Sequence, residues 1–488
     1  MKAQHKTALV VTVLFAAAGI VNCGGDDSTP ITPVDGSAEG ASNEAGPDTS
    51  KADTSVADTS VADSSVDETS VGDGGGADGT ADASDGFMGD AGCDTVGNPW
   101  HYVVDPTNGS DSMSSSGSGT MLGNTNSACA FKTITHALAA IIAANNPPMP
   151  GTLVTVMGPS TVAVGETFPI TLPKNVTIKG NGGLVTVLVP NGKAGFIINN
   201  VGGGLDTLTI DGQKQTGMNG VQVTTGADTT DVLNAVIIQN FASEGMTVGG
   251  KGQISINDGS QFLGNKASGL RIGDNSLAAI TGKSTQILFK SNGASGVQVG
   301  GTGSVTISGL LGNSPPSSAT VLMDGNTVAG LYISQTPNSG APVCDVKGLA
   351  VVNTGAAGVG DGIAVTGGSG LKLRSSYSLS NALNGVSLIP GNNSTDYSAV
   401  DLGASNVDWG LNFLQDGTNQ GAGLCVNFSV SLNANVKALG NNFGKNLDCS
   451  TTAAVLTHGN CKAGNKDTVG VVGNFNLNTV NVSKCALN

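Results

Sequence analysis

Between about Gly195 and Asn412 the chain alternates apolar and polar residues in short bursts, each led by a glycine. They read Gly195-Phe-Ile-Ile, Gly220-Val-Gln-Val, Gly245-Met-Thr-Val, Gly269-Leu-Arg-Ile, Gly296-Val-Gln-Val, Gly330-Leu-Tyr-Ile, Gly362-Ile-Ala-Val, Gly385-Val-Ser-Leu and Gly410-Leu-Asn-Phe. Successive glycines lie 25, 25, 24, 27, 34, 32, 23 and 25 residues apart. A self-similar period in this range marks a solenoid, whose units bury their apolar faces only by stacking on one another. One period holds three strand-like pieces, for example Met246–Val248, Ile254–Ile256 and Phe262–Leu263, separated by turn residues. Three short strands per period describe one coil of a parallel β-helix. The Leu/Asn consensus of a leucine-rich repeat is absent, and a propeller blade needs a fourth strand and a longer period.

An asparagine stands four or five residues before most of these glycines: Asn240, Asn265, Asn292, Asn326, Asn381 and Asn406. Asn tolerates left-handed backbone and bonds its own turn, so the regular series predicts an internal ladder of stacked amides rather than a reactive cluster. Upstream, Trp100–Val104 predicts a strand and Asp105–Asp111 a tight polar loop. A helix is expected after Phe131, capped by Thr133, with Ile134, Leu138, Ile141 and Ile142 on one face and a stop at Pro147-Pro148. Such a helix can cover the open end of a solenoid core.

Tyr102-Val-Val-Asp105, Asn108-Gly-Ser-Asp111, Phe131-Lys-Thr-Ile134, Ala137-Leu138, Gly165-Glu-Thr-Phe-Pro-Ile170 and Val176-Thr-Ile-Lys-Gly180 follow one another in this order. Together they resemble a bacterial domain-of-unknown-function family within the pectin-lyase-like superfamily. The signature covers 98–182, and the resemblance implies a right-handed parallel β-helix and export, but no activity. The expected fold is thus an all-β, single-stranded right-handed parallel β-helix over 98–488, of about twelve coils, with an N-terminal capping helix.

The first 23 residues hold Lys2, Lys6, an apolar run from Ala8 to Val21, and Cys23. This has the form of a secretory signal, and Ile20-Val21-Asn22-Cys23 resembles a lipobox whose cysteine would carry the lipid. Asn22 departs from the usual small residue there, and Ala16-Ala17-Ala18 offers a competing soluble-secretion site. Residues 24–96 carry 17 acidic residues and one basic residue, a formal −16 against −15 for the whole chain. A repeating Ala-Asp-Thr-Ser-Val composition of this kind cannot bury enough apolar surface to order itself, so 24–97 reads as a disordered acidic tether. The chain's acidity belongs to that tether and argues against a nucleic-acid partner. The expected location is a bacterial outer membrane or cell surface, with a soluble secreted or periplasmic protein as the alternative.

The middle residues of the glycine-led strands form the expected outward row: Gln222, Thr247, Arg271, Gln298, Tyr332, Ala364, Ser387 and Asn412. Gln222, Arg271, Gln298 and Tyr332 are the candidate binding residues, an arginine, amides and an aromatic being suited to sugar carboxylates and hydroxyls. A calcium-assisted lyase would need carboxylates near one uronate and a cationic base; Asp228, Asp231 and Asp274, with Arg271 or Lys251 as base, are the candidates. No cofactor is otherwise expected, and calcium only if the protein is a lyase. The Asp-Gly pairs at Asp211, Asp258, Asp324, Asp361 and Asp416 are turn signals as much as candidate hydrolase acids. The paired-Asp, Gly-His-Gly and Arg-Ile-Lys motifs of polygalacturonases are absent, as are a Gly-x-Ser-x-Gly elbow and a phosphate loop. Only His101, His136 and His458 follow the signal, none in a metal-spaced pair.

Eight cysteines fit an exported protein. Cys425 to Cys449 and Cys461 to Cys485 are each 24 residues apart, about one coil, so rung-to-rung disulfides are expected there, with Cys449–Cys461 as the competing link. Cys93 with Cys129 would tie the tether to the cap, leaving Cys344 as a free buried thiol. The leading function is a non-catalytic, lipid-anchored module contacting polysaccharide or another envelope component. The alternatives are a polysaccharide lyase or hydrolase working around Arg271, and a purely structural stalk.

Overall fold

Alternation with period two sends every second side chain of a strand to the same side, and here the inward set is Val, Ile, Leu, Phe and Met. A computed structural model describes residues 101–111, 130–144 and, with short interruptions, 147–414, together with 423–427, 437–438, 441 and 469–472. The signal sequence, the tether, Trp100, Cys93, Cys129, Asp228, Asn406, Cys449, Cys461 and Cys485 lie outside the described residues.

The strands fall into three parallel sheets that the chain visits in rotation. Sheet I has 11 strands, from His101–Val104 to Val400–Asp401; sheet II has 10, from Ser160–Val162 to Phe413–Leu414; sheet III has 11, from Ile170–Leu172 to Val469–Val472. Every strand bonds only its equivalents one coil before and after, so the protein is a right-handed parallel β-helix. The core is a set of one-dimensional stacks. In sheet I, Ile178, Leu205, Leu233, Ile256, Ile280, Ile307, Val346 and Leu373 sit in unbroken register on successive coils, all buried. Full burial of each such side chain contributes about 2 kcal/mol.

The repeat glycines lead the strands of sheet III at the corner after sheet II. A Cβ on Gly245 would lie 2.7 Å from the Gly269 carbonyl oxygen, and one on Gly269 would lie 2.8 Å from that of Gly296. The coils touch backbone to backbone there, and only glycine fits.

The expected amide ladder runs beside this corner. Asn265 Nδ2 donates to Asn292 Oδ1 at 3.0 Å, and Asn292 Nδ2 donates to Asn326 Oδ1 at 2.9 Å. The side chains of both, and of Asn326, also donate to the carbonyls of Ile238, Phe262 and Phe289. All three are buried, and Phe262 and Phe289 stack beneath them at 4.7 Å.

One expected member differs, and one coil has a rung that was not expected. Asn240 sits one residue early in left-handed backbone (φ 61), bonded to Asp211, and Phe241 takes its seat. The coil between Asn326 and Asn381 places Thr354 in line: its N–H reaches Asn381 Oδ1 at 3.1 Å, but its hydroxyl is buried without a partner. Thr354→Val keeps the shape and removes that orphan, so it is expected to stabilise by about 1 kcal/mol, raising the urea midpoint. A lowered midpoint would show that the hydroxyl has a use.

The capping helix spans Ile134–Ala144 and buries Ile134, Ala137, Leu138 and Ile141. Ile142 is instead 44% exposed, because it lies at the margin of the stripe that the other four define. Thr133 caps as expected, its hydroxyl accepting the His136 N–H at 3.2 Å. Glu166 takes the N–H groups of Ile134 and Thr135 at 2.6 and 2.9 Å, and Asp111 takes those of Lys132 and Thr133 at 2.9 and 3.1 Å. Asp105 accepts from Thr107 and Asn108, and a Cβ on Gly109 would collide with the Phe131 carbonyl. The acids of the 98–182 signature therefore build the cap.

Candidate functional site

From Gln222 to Ser387 the row of sheet III holds the expected residues in the expected order. Gln222 pairs with Thr247, Thr247 with Arg271, Arg271 with Gln298, Gln298 with Tyr332, Tyr332 with Ala364, and Ala364 with Ser387. From Gln222 to Tyr332 these side chains are half-buried or exposed, and at roughly 4.8 Å per coil they span about 19 Å. Ala364 and Ser387 are buried, so the open part of the row ends at Tyr332. Asn412 is not in it. Gly410 leads into a strand of sheet II, where Phe413 stacks on Tyr377, and the row passes from Ser387 to Cys425. Asn412 turns inward and bonds Ser376, Leu373 and Asn441.

The column that supports this row escaped the sequence reading. It is the residue just before each repeat glycine. Asn219 Nδ2 donates to the Thr247 hydroxyl at 3.2 Å, Glu244 pairs with Arg271 Nη1 at 3.3 Å, and the Ser268 hydroxyl donates to Gln298 Oε1 at 3.0 Å. Each link runs from one coil to the next. Reading the positions before Gly220, Gly245 and Gly269 as a column would have exposed the polar set.

Further along the same column stands Asp361, in register with Ala329. Burial pushes its carboxyl up to about 6, against hydrogen bonds from the Asn384 side chain, the Asn384 backbone and Ser387, which act in the opposite direction.

Of the metal-and-base candidates, Asp231, Lys251 and Asp274 stand at the passage from sheet III to sheet I on successive coils. Lys251 is exposed in a turn with φ 76, off the row. Asp231 opens a strand of sheet I, is fully buried, and accepts the Gly202 N–H at 3.0 Å. Asp274 accepts the Thr302 N–H at 3.0 Å in a turn between sheets III and I. Asp258 does the same for Lys283 and Ser284; burial opposes its ionisation, yet these bonds prevail and hold its carboxyl below the usual range. Among the described residues, no three His, Cys, Asp or Glu side chains group as a metal site would require.

Sequence reasoning also missed Arg374, whose guanidinium is 9% exposed and bonds Asp401 at 2.9 Å and Asp408 at 2.7 Å. It is a structural clamp on the late coils, 27 and 34 residues from its partners in sequence.

A shallow depression of about 170 Å³, lined by Lys193, Met218 and Phe241 among others, lies at one corner. It is smaller than an ordinary small-molecule pocket, so the open row is the better candidate for recognition.

Cys344 is buried and free, and burial pushes its thiol up to about 11. Cys425 is buried and disulfide-bonded, its partner outside the described residues. On the following strand Gly470 stands beside Cys425, and Cys449 lies outside the described residues. Among the described residues no helix is long and apolar enough to cross a membrane.

The described chain is a parallel β-helix that carries an open polar row on one sheet. Residues 115–297 match the family described as protein of unknown function (DUF1565), in keeping with the resemblance carried by 98–182. No curated protein matches the chain.

Solved structures with the same type of fold include the mannuronan C-5 epimerase AlgE4 A-module of Azotobacter vinelandii, at 15% identity over 71% of this chain and 95% of that one, TM-score 0.40. The AlgE6 A-module of the same organism matches at 16% over 63% and 81%, TM-score 0.37. Pectate lyase Pel9A matches at 12% over 77% of each chain, TM-score 0.37. Likenesses this distant say nothing of what this chain binds or turns over.

Proposed function

We propose that this chain is an exported, non-catalytic polysaccharide-binding module, held at the cell envelope by a lipid on Cys23, with the open row of sheet III as its contact surface. The observation that carries the reading is the in-register series Gln222, Thr247, Arg271, Gln298 and Tyr332 on one accessible face. A repeating ladder suits a repeating ligand, since each coil offers one polar side chain to the next unit. The carboxylates nearest the row are engaged by backbone N–H groups or by Arg271, which favours binding over acid–base chemistry.

The test titrates the full chain with soluble polysaccharides by calorimetry. Tyr332→Ala is expected to weaken binding roughly tenfold, the size of one lost aromatic contact. Binding unchanged by that substitution would remove the row from the interface. In parallel, uronic-acid polymers with calcium or with chelator are followed by ultraviolet absorbance for the unsaturated product of β-elimination. No rise is expected. A calcium-dependent rise that disappears in Arg271→Ala would establish a lyase instead.

A further inference from the structure

An arginine on a sugar-binding face ordinarily suggests an anionic sugar, because a guanidinium fork fits a carboxylate. Here that slot has a resident. Glu244, the residue before the repeat glycine one coil earlier, holds Arg271 Nη1 at 3.3 Å. Its side chain is only 13% exposed, whereas Arg271 is 57% exposed. Glu244 also accepts a hydrogen bond from the Ser243 hydroxyl, which restrains it from swinging away.

The other open members of the row, Gln222, Thr247, Gln298 and Tyr332, are uncharged, and so are the supporting Asn219 and Ser268. Glu244 and Arg271 therefore sum to zero charge along the open row, and the next acid of the supporting column, Asp361, stands at its closed end beside Ala364. A carboxylate brought to Arg271 would meet the Glu244 charge immediately behind it, and its attraction to the guanidinium would be largely cancelled. A hydroxyl has no such difficulty. It can accept from the Arg271 N–H groups that Glu244 leaves open, while the amides and Tyr332 offer both donors and acceptors.

We propose that Glu244 is the specificity-determining residue of this row and that the ligand is a neutral, hydroxyl-rich polysaccharide rather than a polyuronate. The inference rests on the row being a polysaccharide-contact surface.

The experiment uses two backbone-matched pairs that differ in charge, polygalacturonate with its methyl ester and polymannuronate with its methyl ester, titrated calorimetrically into the full chain and into Glu244→Gln. The amide still accepts from Arg271, so the geometry is retained while the negative charge goes. The wild-type chain is expected to bind at least one ester roughly tenfold tighter than its charged partner. Glu244→Gln should lose that preference and gain roughly tenfold for the charged polymer, with a salt dependence absent from the wild type.

Tighter wild-type binding of a charged polymer would overturn the inference and leave the binding function standing. So would an unaltered preference in a folded Glu244→Gln. Failure of both members of both pairs to bind would overturn the binding function as well. If Glu244→Gln does not fold, judged by circular dichroism, the wild-type comparison alone decides, with Arg271→Gln as the second variant. Arg271→Gln is expected to weaken both forms and to keep the preference for the ester.

Discussion

Asn292→Leu is expected to be among the most destabilising single substitutions in the described helix, by about 4 kcal/mol or more. The side chain is fully buried and is the central rung of the ladder. Its Nδ2 donates to the Phe262 carbonyl at 3.1 Å and to Asn326 Oδ1 at 2.9 Å. Its Oδ1 accepts from the Asn265 backbone at 3.2 Å and from Asn265 Nδ2 at 3.0 Å. Leucine has the same branching but is bulkier and satisfies none of these, and each buried orphan costs about 1–3 kcal/mol.

Because a solenoid is coupled mainly between neighbours, the damage should begin locally. Hydrogen exchange at the amides around Phe262 and Asn265 should accelerate before the outer coils respond. Asn240→Ala is the control: it lies outside the ladder and should cost about 1–2 kcal/mol through its left-handed backbone and half-buried bonds to Asp211. Equal effects at the two positions would refute the ladder as the source of stability.

Asp361 makes the second large effect dependent on pH. Its carboxyl sits at about 6 in the fold, raised by burial from the usual 3.8. A raised acid is stabilising when protonated, so the favourable contribution is complete below about 3.8 and is lost as pH climbs through 6. Above that the charge costs up to about 3 kcal/mol. Asp361→Asn can still accept from Asn384 and carries no charge, so it should be more stable than the wild type at pH 7.5 by up to that amount. At pH 4 the two proteins should have nearly the same midpoint. Urea unfolding at both pH values provides the check, and a gap that does not shrink on acidification would contradict the assignment.

Much of the architecture was legible because a solenoid repeats its own instructions. The near-regular spacing of Gly220, Gly245, Gly269 and Gly296, each leading the same short pattern, implied equal register, and equal register placed Gln222, Thr247, Arg271 and Gln298 in one line. Period-two alternation separated inward from outward residues, and the helix announced itself by its cap and its apolar stripe. The same logic failed where the period failed. Between Ile389 and Leu424 the chain takes a longer path, so Gly410 leads into sheet II and Asn412 becomes an inward rung. Thr354 entered the ladder unannounced for a related reason, since a backbone seat can be filled by a residue without the expected side chain.

By itself, then, the sequence determined the strands, their alternation, the stacking glycines, the asparagine ladder and the row on sheet III. All of these follow from local periodicity, repeated until neighbours have no choice of register. Only the tertiary structure decided which side chains touch between coils. Glu244 meets Arg271 across 27 residues and Arg374 meets Asp408 across 34. No local pattern encodes such a meeting; it exists only once one coil is laid on the next. Whether Arg271 stands as a bare cation or as half of an ion pair was settled there.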